Sequence, residues 1–157
     1  MPHPNVRRVI AAAADLGLDI EVQEFPEGTK TAADAAAAID VEVGQIVKSL
    51  IFGVDDEVVV ALVSGSNRLD EQALSIAAGG GTVGRVDADR VRAATGFPIG
   101  GVPPFGHTDD LRTFIDADLL AYDVVWAAAG TWNHVFAVDP EVLARVSGAT
   151  VGNLTTS

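Results

Sequence analysis

The stretch Thr95-Gly96-Phe97-Pro98-Ile99-Gly100-Gly101-Val102-Pro103-Pro104-Phe105-Gly106-His107 limits the kinds of fold that can surround it. Its four glycines and three prolines exclude a helix or a central strand, because proline lacks an amide hydrogen and glycine admits positive φ. The stretch is also apolar, so we expect a stiff loop that packs on a core and holds backbone groups in fixed positions. Such a loop suits the wall of a small-molecule pocket. The same composition also fits a structural crossover between a helix and a strand.

The length and composition of the chain indicate one globular domain over residues 1–157. Hydrophobic residues make up 48% and charged residues 20%, and no apolar run reaches the roughly 18 residues that cross a bilayer. Near the N-terminus, Arg7 and Arg8 precede a short alanine run that Asp15 interrupts, which is not the pattern of a secretory signal. We therefore expect a cytoplasmic protein with no membrane partner.

The net charge of −12 argues against a wide basic surface that grips nucleic acid, although it permits contact with one end of a nucleic acid. The chain has no cysteine, which excludes disulfides, thiolate zinc sites and a cysteine nucleophile. The histidines and the acidic turn residues match no metal-ligand spacing. These residues are His3, His107, His134, Asp109, Asp110, Asp116 and Asp118. We expect neither a metal nor a cofactor.

Hydrophobic periodicity and turn residues predict an α+β fold, with helices around a curved, barrel-like mixed β-sheet. Helices are predicted at residues 5–16, 31–39, 70–78, 87–95 and 140–148. Strands are predicted at 19–25, 43–52 after an initial helical turn, 58–63, 83–86, 112–115, 123–129 and 132–138, with a turn at 26–28. Because residues 58–63 are nearly all apolar, we expect that strand to be buried on both faces.

Three glycines, Gly79, Gly81 and Gly84, have the spacing of the dinucleotide-binding fingerprint. That fingerprint requires a strand before it and a helix opening from it. Here a predicted helix precedes the glycines and a short predicted strand follows them. The pattern therefore gives little support to a dinucleotide-dependent enzyme.

Lys48 lies within an apolar segment, Gln45-Ile46-Val47-Lys48-Ser49-Leu50-Ile51-Phe52, and the chain has only two lysines. A buried ammonium is costly unless it is paired, so lysine in such surroundings often has a function. The structural alternative is a side chain whose stem packs on the core while its charged end reaches water. We favour a functional role for Lys48.

The lysine segment and the Gly/Pro loop together resemble the YbaK/EbsC-like aminoacyl-tRNA deacylases, which share their fold with the editing domain of bacterial prolyl-tRNA synthetase. The resemblance covers residues 31–143. The segment 45–50 is similar to the family's catalytic-lysine segment, and residues 100–104 are similar to its Gly-x-x-x-Pro loop. Asp116 stands where the family has an aspartate on the next strand. The segment Ala128-Ala129-Gly130 resembles the family's turn near the pocket.

This resemblance implies metal-free hydrolysis of the ester that joins a wrong amino acid to the 3′ end of a tRNA, with tRNA for proline as the expected species. Because the net charge of −12 fits poorly with autonomous binding of tRNA, we expect the protein either to act with prolyl-tRNA synthetase as a partner or to recognise the acceptor end alone. The resemblance also implies that Lys48, Gly100 and Gly101 are catalytic. The residues expected to contact the substrate are Ser49, Ile99, Val102, Pro103, Pro104, Phe105, Asp116, Ala128, Gly130 and His134. The alternative is a non-catalytic module of the same fold that binds an amino acid, a nucleotide or a partner protein.

Overall fold

Helices surround two β-sheets in the computed structural model, which describes residues 3–25 and 31–155. The turn expected at 26–28 lies outside these residues. The helices are α1 (Pro4–Asp15), α2 (Ala32–Ile39), α3 (Glu71–Ala77), α4 (Ala88–Thr95) and α5 (Pro140–Ser147). The strands are β1 (Val22–Glu24), β2 (Val47–Val54), β3 (Glu57–Ser64), β4 (Val83–Arg85), β5 (Arg112–Asp116), β6 (Val125–Ala128), β7 (His134–Val138) and β8 (Thr150–Gly152).

The larger sheet has the strand order β4-β2-β3-β5-β8 and is mixed, because β5 runs parallel to β3 and β8 while the other pairs are antiparallel. The smaller sheet, β1-β7-β6, is antiparallel. An isolated bridge between Ile46 and Trp126 connects the two sheets. The α+β class is confirmed, but the strands form two sheets and do not close into a barrel, because β4 and β6 approach β2 at opposite ends.

The helices begin and end where the capping residues predict. Thr31 and Asp34 form a capping box, in which the Asp34 amide donates to Thr31 Oγ1 at 3.0 Å and the Thr31 amide donates to Asp34 Oδ2 at 3.3 Å. Asp70 and Asp87 cap α3 and α4 through their carboxylates. Gly96 ends α4 with a φ of 83°, a conformation that glycine adopts without strain.

The centre of the core is β3, which is buried on both faces as the sequence predicted. Val60 and Leu62 pack into the apolar cluster on one face of the large sheet. Val59, Ala61 and Val63 pack into the cluster on the other face. Two short elements were not predicted from the sequence, a 3-10 turn at Ala117–Ala121 and the strand β8. Each is too short for its periodicity to be recognised.

The Gly/Pro loop is closed at its base and fastened to α1. The Thr108 amide donates to the Thr95 carbonyl at 3.1 Å, so the two ends of the loop meet. Arg8 of α1 donates from Nη1 to the Gly96 carbonyl at 2.9 Å, and its guanidinium carbon lies 4.3 Å from the centre of the Phe97 ring. The loop is therefore an ordered wall packed on the core, as its apolar composition predicted.

We expect Arg8→Ala to lower the free energy of unfolding by about 1 kcal/mol, because it removes one hydrogen bond and one cation–π contact at the loop. Arg7→Ala is the matched control, since Arg7 is exposed and makes no comparable side-chain contact within the described residues. Urea denaturation of both variants measures the difference. Equal destabilisation by the two substitutions would show that Arg8 does not hold the loop.

Candidate active site

The cleft that both Lys48 and Gly100 line lies where the two sheets diverge. Residues 52–54 of β2 pair with β4, whereas Ile46, just before β2, bridges to β6. Between these points the edge of β2 that faces away from β3 has no strand partner within the described residues. A strand directs the N–H and C=O groups of alternate residues toward each edge, so some backbone groups of this stretch face the cleft.

Two cavities occupy this cleft. The main cavity, of about 340 Å³, is enclosed by the start of β2, β6, α2 and the Gly/Pro loop. The side cavity, of about 260 Å³, lies toward β4 and α4. Both cavities are bordered by the same group of residues, which are Ser49, Leu50, Ile99, Gly100 and Val102. The structure thus brings the predicted lysine segment and the Gly/Pro loop together along one wall.

Lys48 lines the main cavity and is held in place by the loop after β3. Its Nζ donates to the backbone carbonyl of Asn67 at 2.6 Å. Burial lowers the pKa of Lys48 below its usual value of 10.5; the negative charge of Asp116 opposes this effect and the positive charge of Arg68 adds to it. Because the folded state holds this proton less tightly than the unfolded state, the charged lysine costs stability at neutral pH. As the pH rises toward 10.5, Lys48 loses its proton in the folded state before it does so in the unfolded state, and this cost disappears.

Asp116 acts on the site from behind Lys48. It is buried, and its Oδ2 accepts hydrogen bonds from the Ser64 amide at 3.2 Å and from Asn67 Nδ2 at 2.9 Å. Its Oδ1 accepts from the Asp118 amide at 2.9 Å. Asp116 is not on the wall of either cavity. It fixes the loop whose carbonyl binds the lysine, and it supplies negative charge nearby.

Ser49 carries an unsatisfied polar atom on the shared wall. Its Oγ is buried and has no hydrogen-bond partner within the described residues. A buried hydroxyl without a partner costs free energy, so such atoms are uncommon in native structures. The position of this one, beside both cavities, provides a hydrogen-bonding group for a bound molecule.

The two catalytic glycine candidates have different surroundings. Gly100 lines both cavities, has a φ of 91°, and its amide has no hydrogen-bond partner within the described residues. Gly101 faces away from the cavities, and its amide donates to the Pro98 carbonyl at 3.0 Å. A Cβ at Gly101 would lie 2.7 Å from the Cα of Thr131. The geometry therefore makes Gly100 the exposed backbone donor and makes Gly101 the point where the loop packs on its neighbour.

The second half of the loop anchors it to the core. Pro103, Pro104 and Phe105 are buried and are not on the wall of either cavity. The ring centroids of Phe105 and Phe136 are 5.7 Å apart. His107 donates from Nε2 to the Pro103 carbonyl at 2.7 Å and closes this half of the loop. These predicted contact residues support the site from outside the cavity.

The turn between β6 and β7 contributes unequally to the site. Ala128 lines the main cavity. Gly130 instead packs on the first turn of α1, where its carbonyl accepts from Asn5 Nδ2 at 3.0 Å. His134 points away from the cavity wall and makes hydrogen bonds through Nδ1 to Thr131 Oγ1 at 2.5 Å and through Nε2 to Glu24 Oε2 at 3.0 Å. Gly130 and His134 thus hold the turn in place.

Three residues that the sequence did not single out are part of the site. Asn67 fixes Lys48, and its only sequence signal is its position in the loop after a buried strand. Trp126 and Trp132 line the main cavity. Tryptophan flanking a predicted hairpin turn is a weak signal for a ligand site, since it more often packs in a core. The two tryptophans are recognised as part of the site only because the fold places them on the same cavity wall as Gly100 and Lys48.

Within residues 3–25 and 31–155, no group of three or more His, Asp or Glu side chains is placed to hold a metal ion. None of the helices in the same ranges combines the length and apolar character needed to span a membrane. Of the glycines in the dinucleotide-like pattern, Gly79 and Gly81 lie between α3 and β4, and Gly84 lies within β4. None of the three borders either cavity.

Comparisons with known proteins agree with this fold. A solved structure described as "a putative trans-editing enzyme for prolyl tRNA synthetase" superposes with a TM-score of 0.95 and 42% identity, over 100% of both chains. The fold and the similarity to known proteins define an aminoacyl-tRNA deacylase. A model of the aminoacyl-tRNA editing domain matches residues 26–146, and the chain belongs to that family.

Two curated relatives place the chain within this family. A proline–tRNA ligase of Desulforamulus reducens is 33% identical over 144 residues, which are 87% of this chain but only 25% of the ligase. The chain thus spans about a quarter of that ligase. The "Putative Cys-tRNA(Pro)/Cys-tRNA(Cys) deacylase EbsC" of Enterococcus faecalis is 26% identical over 133 residues, 84% of this chain and 81% of the relative. The predicted resemblance to YbaK/EbsC-like deacylases is confirmed.

The buried hydrogen bond between His107 and the Pro103 carbonyl leads to a prediction about the pH dependence of stability. Burial lowers the pKa of His107 below 6.5, partly opposed by its hydrogen bond to Pro103, so the folded state favours the neutral imidazole. Below pH 6.5 the unfolded chain therefore binds a proton at His107 more readily than the folded chain does. The free energy of unfolding consequently decreases as the pH falls through this range. We expect the free energy of unfolding to decrease from pH 7.5 to 5.5 more steeply in the parent than in His107→Gln. Urea denaturation at several pH values measures both slopes; parallel curves would contradict the prediction.

Proposed function

We propose that the protein hydrolyses, in trans, the ester of mischarged aminoacyl-tRNA, with tRNA for proline as its substrate species. The observation that carries the proposal is the meeting of Lys48, Ser49 and Gly100 on the wall of one cavity. The choice of tRNA is supported by the solved structure, which is described as a trans-editing enzyme for prolyl tRNA synthetase. It is also supported by the Enterococcus relative, which is named for Cys-tRNA(Pro) as well as Cys-tRNA(Cys).

Lys48 supplies positive charge to the reacting ester. An ammonium has three N–H donors, and the Asn67 carbonyl takes one of them. The others are available to a ligand in the main cavity. A fixed charge in a partly desolvated site stabilises negative charge that develops on the carbonyl oxygen more effectively than water does, because its orientation is already set.

Gly100 supplies a backbone donor at the same place. The hydrogen bond from Gly101 to Pro98 closes a β-turn with Gly100 in its third position, where a positive φ is typical of type II turns. The turn is stiff and leaves the Gly100 amide directed away from the turn's own hydrogen bond. Together with the Ser49 hydroxyl, this amide positions the aminoacyl group and the attacking water.

The proposed reaction is a simple hydrolysis. Water attacks the carbonyl carbon of the ester, the bond between that carbon and the ribose oxygen breaks, and the products are a free amino acid and an uncharged tRNA. The attacking water loses its proton, and the departing ribose oxygen gains one. The neighbouring hydroxyl of the terminal ribose assists this transfer, and the proposal assigns neither a metal nor a covalent enzyme intermediate.

Binding of tRNA is confined to the acceptor end in this proposal. A chain with a net charge of −12 lacks the basic surface needed to hold the whole tRNA. We propose that it acts in the cytoplasm, either on the acceptor end alone or with prolyl-tRNA synthetase delivering the tRNA. The mostly apolar wall of the main cavity favours a small uncharged amino acid.

The test of this function is single-turnover hydrolysis of a panel of mischarged tRNAs by the parent and by Lys48 variants. We expect Lys48→Met to reduce the rate on the order of a hundredfold, the scale of one lost electrostatic contact in a site. Lys48→Arg should also lose deacylation activity, because a planar guanidinium cannot replace a compact ammonium. The stability of Lys48→Met should stay within about 1 kcal/mol of the parent, because relief of desolvation offsets the lost hydrogen bond to Asn67.

Arg7→Met is the control, since it also removes a positive charge but lies outside the site. A parental rate in Lys48→Met would contradict the catalytic assignment. A parent that binds aminoacyl-tRNA analogues without hydrolysing any member of the panel would favour the non-catalytic binding module. Loss of activity on chelation that zinc alone restores would contradict the metal-free part of the proposal.

Ser49→Ala separates function from stability at the shared wall. Removal of a buried hydroxyl that has no partner should leave stability unchanged or raise it by about 1 kcal/mol, whereas deacylation should fall by about three- to tenfold, the scale of one hydrogen bond. Ser75→Ala is the matched control, because Ser75 Oγ donates to the Gly81 carbonyl at 2.6 Å and Ser75 lines neither cavity. The control should lose stability and keep its rate. Thermal melts and single-turnover rates decide, and a loss of stability in Ser49→Ala without loss of rate would refute this role.

A further inference from the structure

Two exposed apolar side chains stand at the mouth of the main cavity. Ile99 is 62% exposed and Trp132 is 52% exposed, and both line this cavity. Scattered exposed hydrophobic residues are common on protein surfaces, but two large ones at the entrance of one cavity are informative. They present a branched aliphatic group and a broad aromatic face where a ligand would enter.

The absence of a side chain at Gly100 leaves space beside Trp132. A Cβ built at Gly100 would lie 3.8 Å from the Cβ of Trp132, so any larger side chain would extend into the gap. Ile99 and Gly100 are the two central residues of the β-turn closed by Gly101 and Pro98. The aliphatic side of the entrance is therefore carried by a stiff element.

The turn that carries the aromatic side is held by hydrogen bonds. Trp132 follows Thr131, whose hydroxyl is hydrogen-bonded to His134 and to Asn133 Oδ1 at 2.9 Å. His134 is in turn bonded to Glu24 of β1. Because the turn is held in place, the backbone of Trp132 needs little reordering when a planar ligand stacks on its ring.

The proposed substrate presents a planar group at this point. The ester of an aminoacyl-tRNA is carried by the ribose of the 3′-terminal adenosine, and the adenine is attached to the same sugar. When the ester carbonyl lies beside Lys48 and Gly100, the base therefore lies near the cavity entrance. A purine has the flat apolar faces that stack on tryptophan, and stacking requires no positive charge. This agrees with a chain whose net charge is −12.

We propose that Trp132 and Ile99 clamp the terminal adenine of the tRNA, with Trp132 stacked on the base and Ile99 packed on its other side. The inference rests on the proposed function, because it takes the ester's position beside Lys48 as given. In this proposal the acceptor end is recognised mainly by stacking of its terminal base on an aromatic side chain, as in other proteins that bind single-stranded RNA.

The test uses two non-hydrolysable probes whose binding to the protein is measured by calorimetry. One probe is 3′-amino-3′-deoxyadenosine that carries a small uncharged amino acid as a 3′-amide. The other probe is the same aminoacylated sugar without its adenine. We expect Trp132→Ala to weaken binding of the adenine probe tenfold or more, and Trp132→Phe to weaken it less than about threefold. The base-free probe should bind the parent and Trp132→Ala equally. Ile76→Ala, which removes a 72% exposed side chain outside the cavity, should change neither.

Three results would overturn the inference. The parent could bind both probes equally, or Trp132→Ala could weaken both by the same factor, which would place Trp132 against the amino acid. Sedimentation could instead show that the parent self-associates and that Trp132→Ala is monomeric, which would make the patch an interface between copies of the chain. Hydrolysis of the tRNA panel is scored separately. If the parent deacylates no tRNA but binds the adenine probe through Trp132, the clamp stands and the proposed function falls.

Discussion

The site depends on the way β2 is shared between neighbours that diverge. One edge of β2 pairs with β3 along its whole length, whereas the other edge meets β4 at residues 52–54 and is reached by β6 only at Ile46. A strand cannot keep its ladder with two neighbours that separate, so the edge between these points opens. Backbone groups in a protein interior require partners, and here they face a cavity that a ligand or water can fill. The lysine segment lies on this stretch.

The Gly/Pro loop completes the cavity because its glycines meet two different physical demands. Gly100 is needed for its positive φ and for the open space beside Trp132. Gly101 is needed because the backbone of Thr131 leaves no room for a side chain. The first glycine shapes the surface that a ligand meets, and the second holds that surface against the β6–β7 turn. Arg8 fastens the near end of the loop and His107 fastens the far end, so the wall is fixed before any ligand binds.

The polar groups on the cavity wall lower the stability of the folded state. Lys48 loses hydration on a strand of apolar residues, and one carbonyl and the nearby charge of Asp116 compensate it in part. Ser49 leaves a buried hydroxyl without a partner. A chain selected for stability alone would replace both side chains with apolar ones, so their presence beside one cavity favours a functional explanation. The apolar core, which includes β3 buried on both faces, stabilises the fold enough to offset this destabilisation.

The sequence by itself determined the local elements and the two segments that form the site. Capping residues such as Thr31 and Asp87 set where helices begin, and the apolar run at 58–63 predicted the central strand, because these signals act within a few residues of the chain. The lysine and the Gly/Pro loop were recognised for the same reason. Only the tertiary structure decided which residues face the cavity. Gly101, Asp116 and His134 turned out to support the site from behind, and Trp132 stands at its entrance, because burial and facing depend on contacts between segments far apart in sequence. The separation into two sheets was decided at the same level, by where β4 and β6 meet β2.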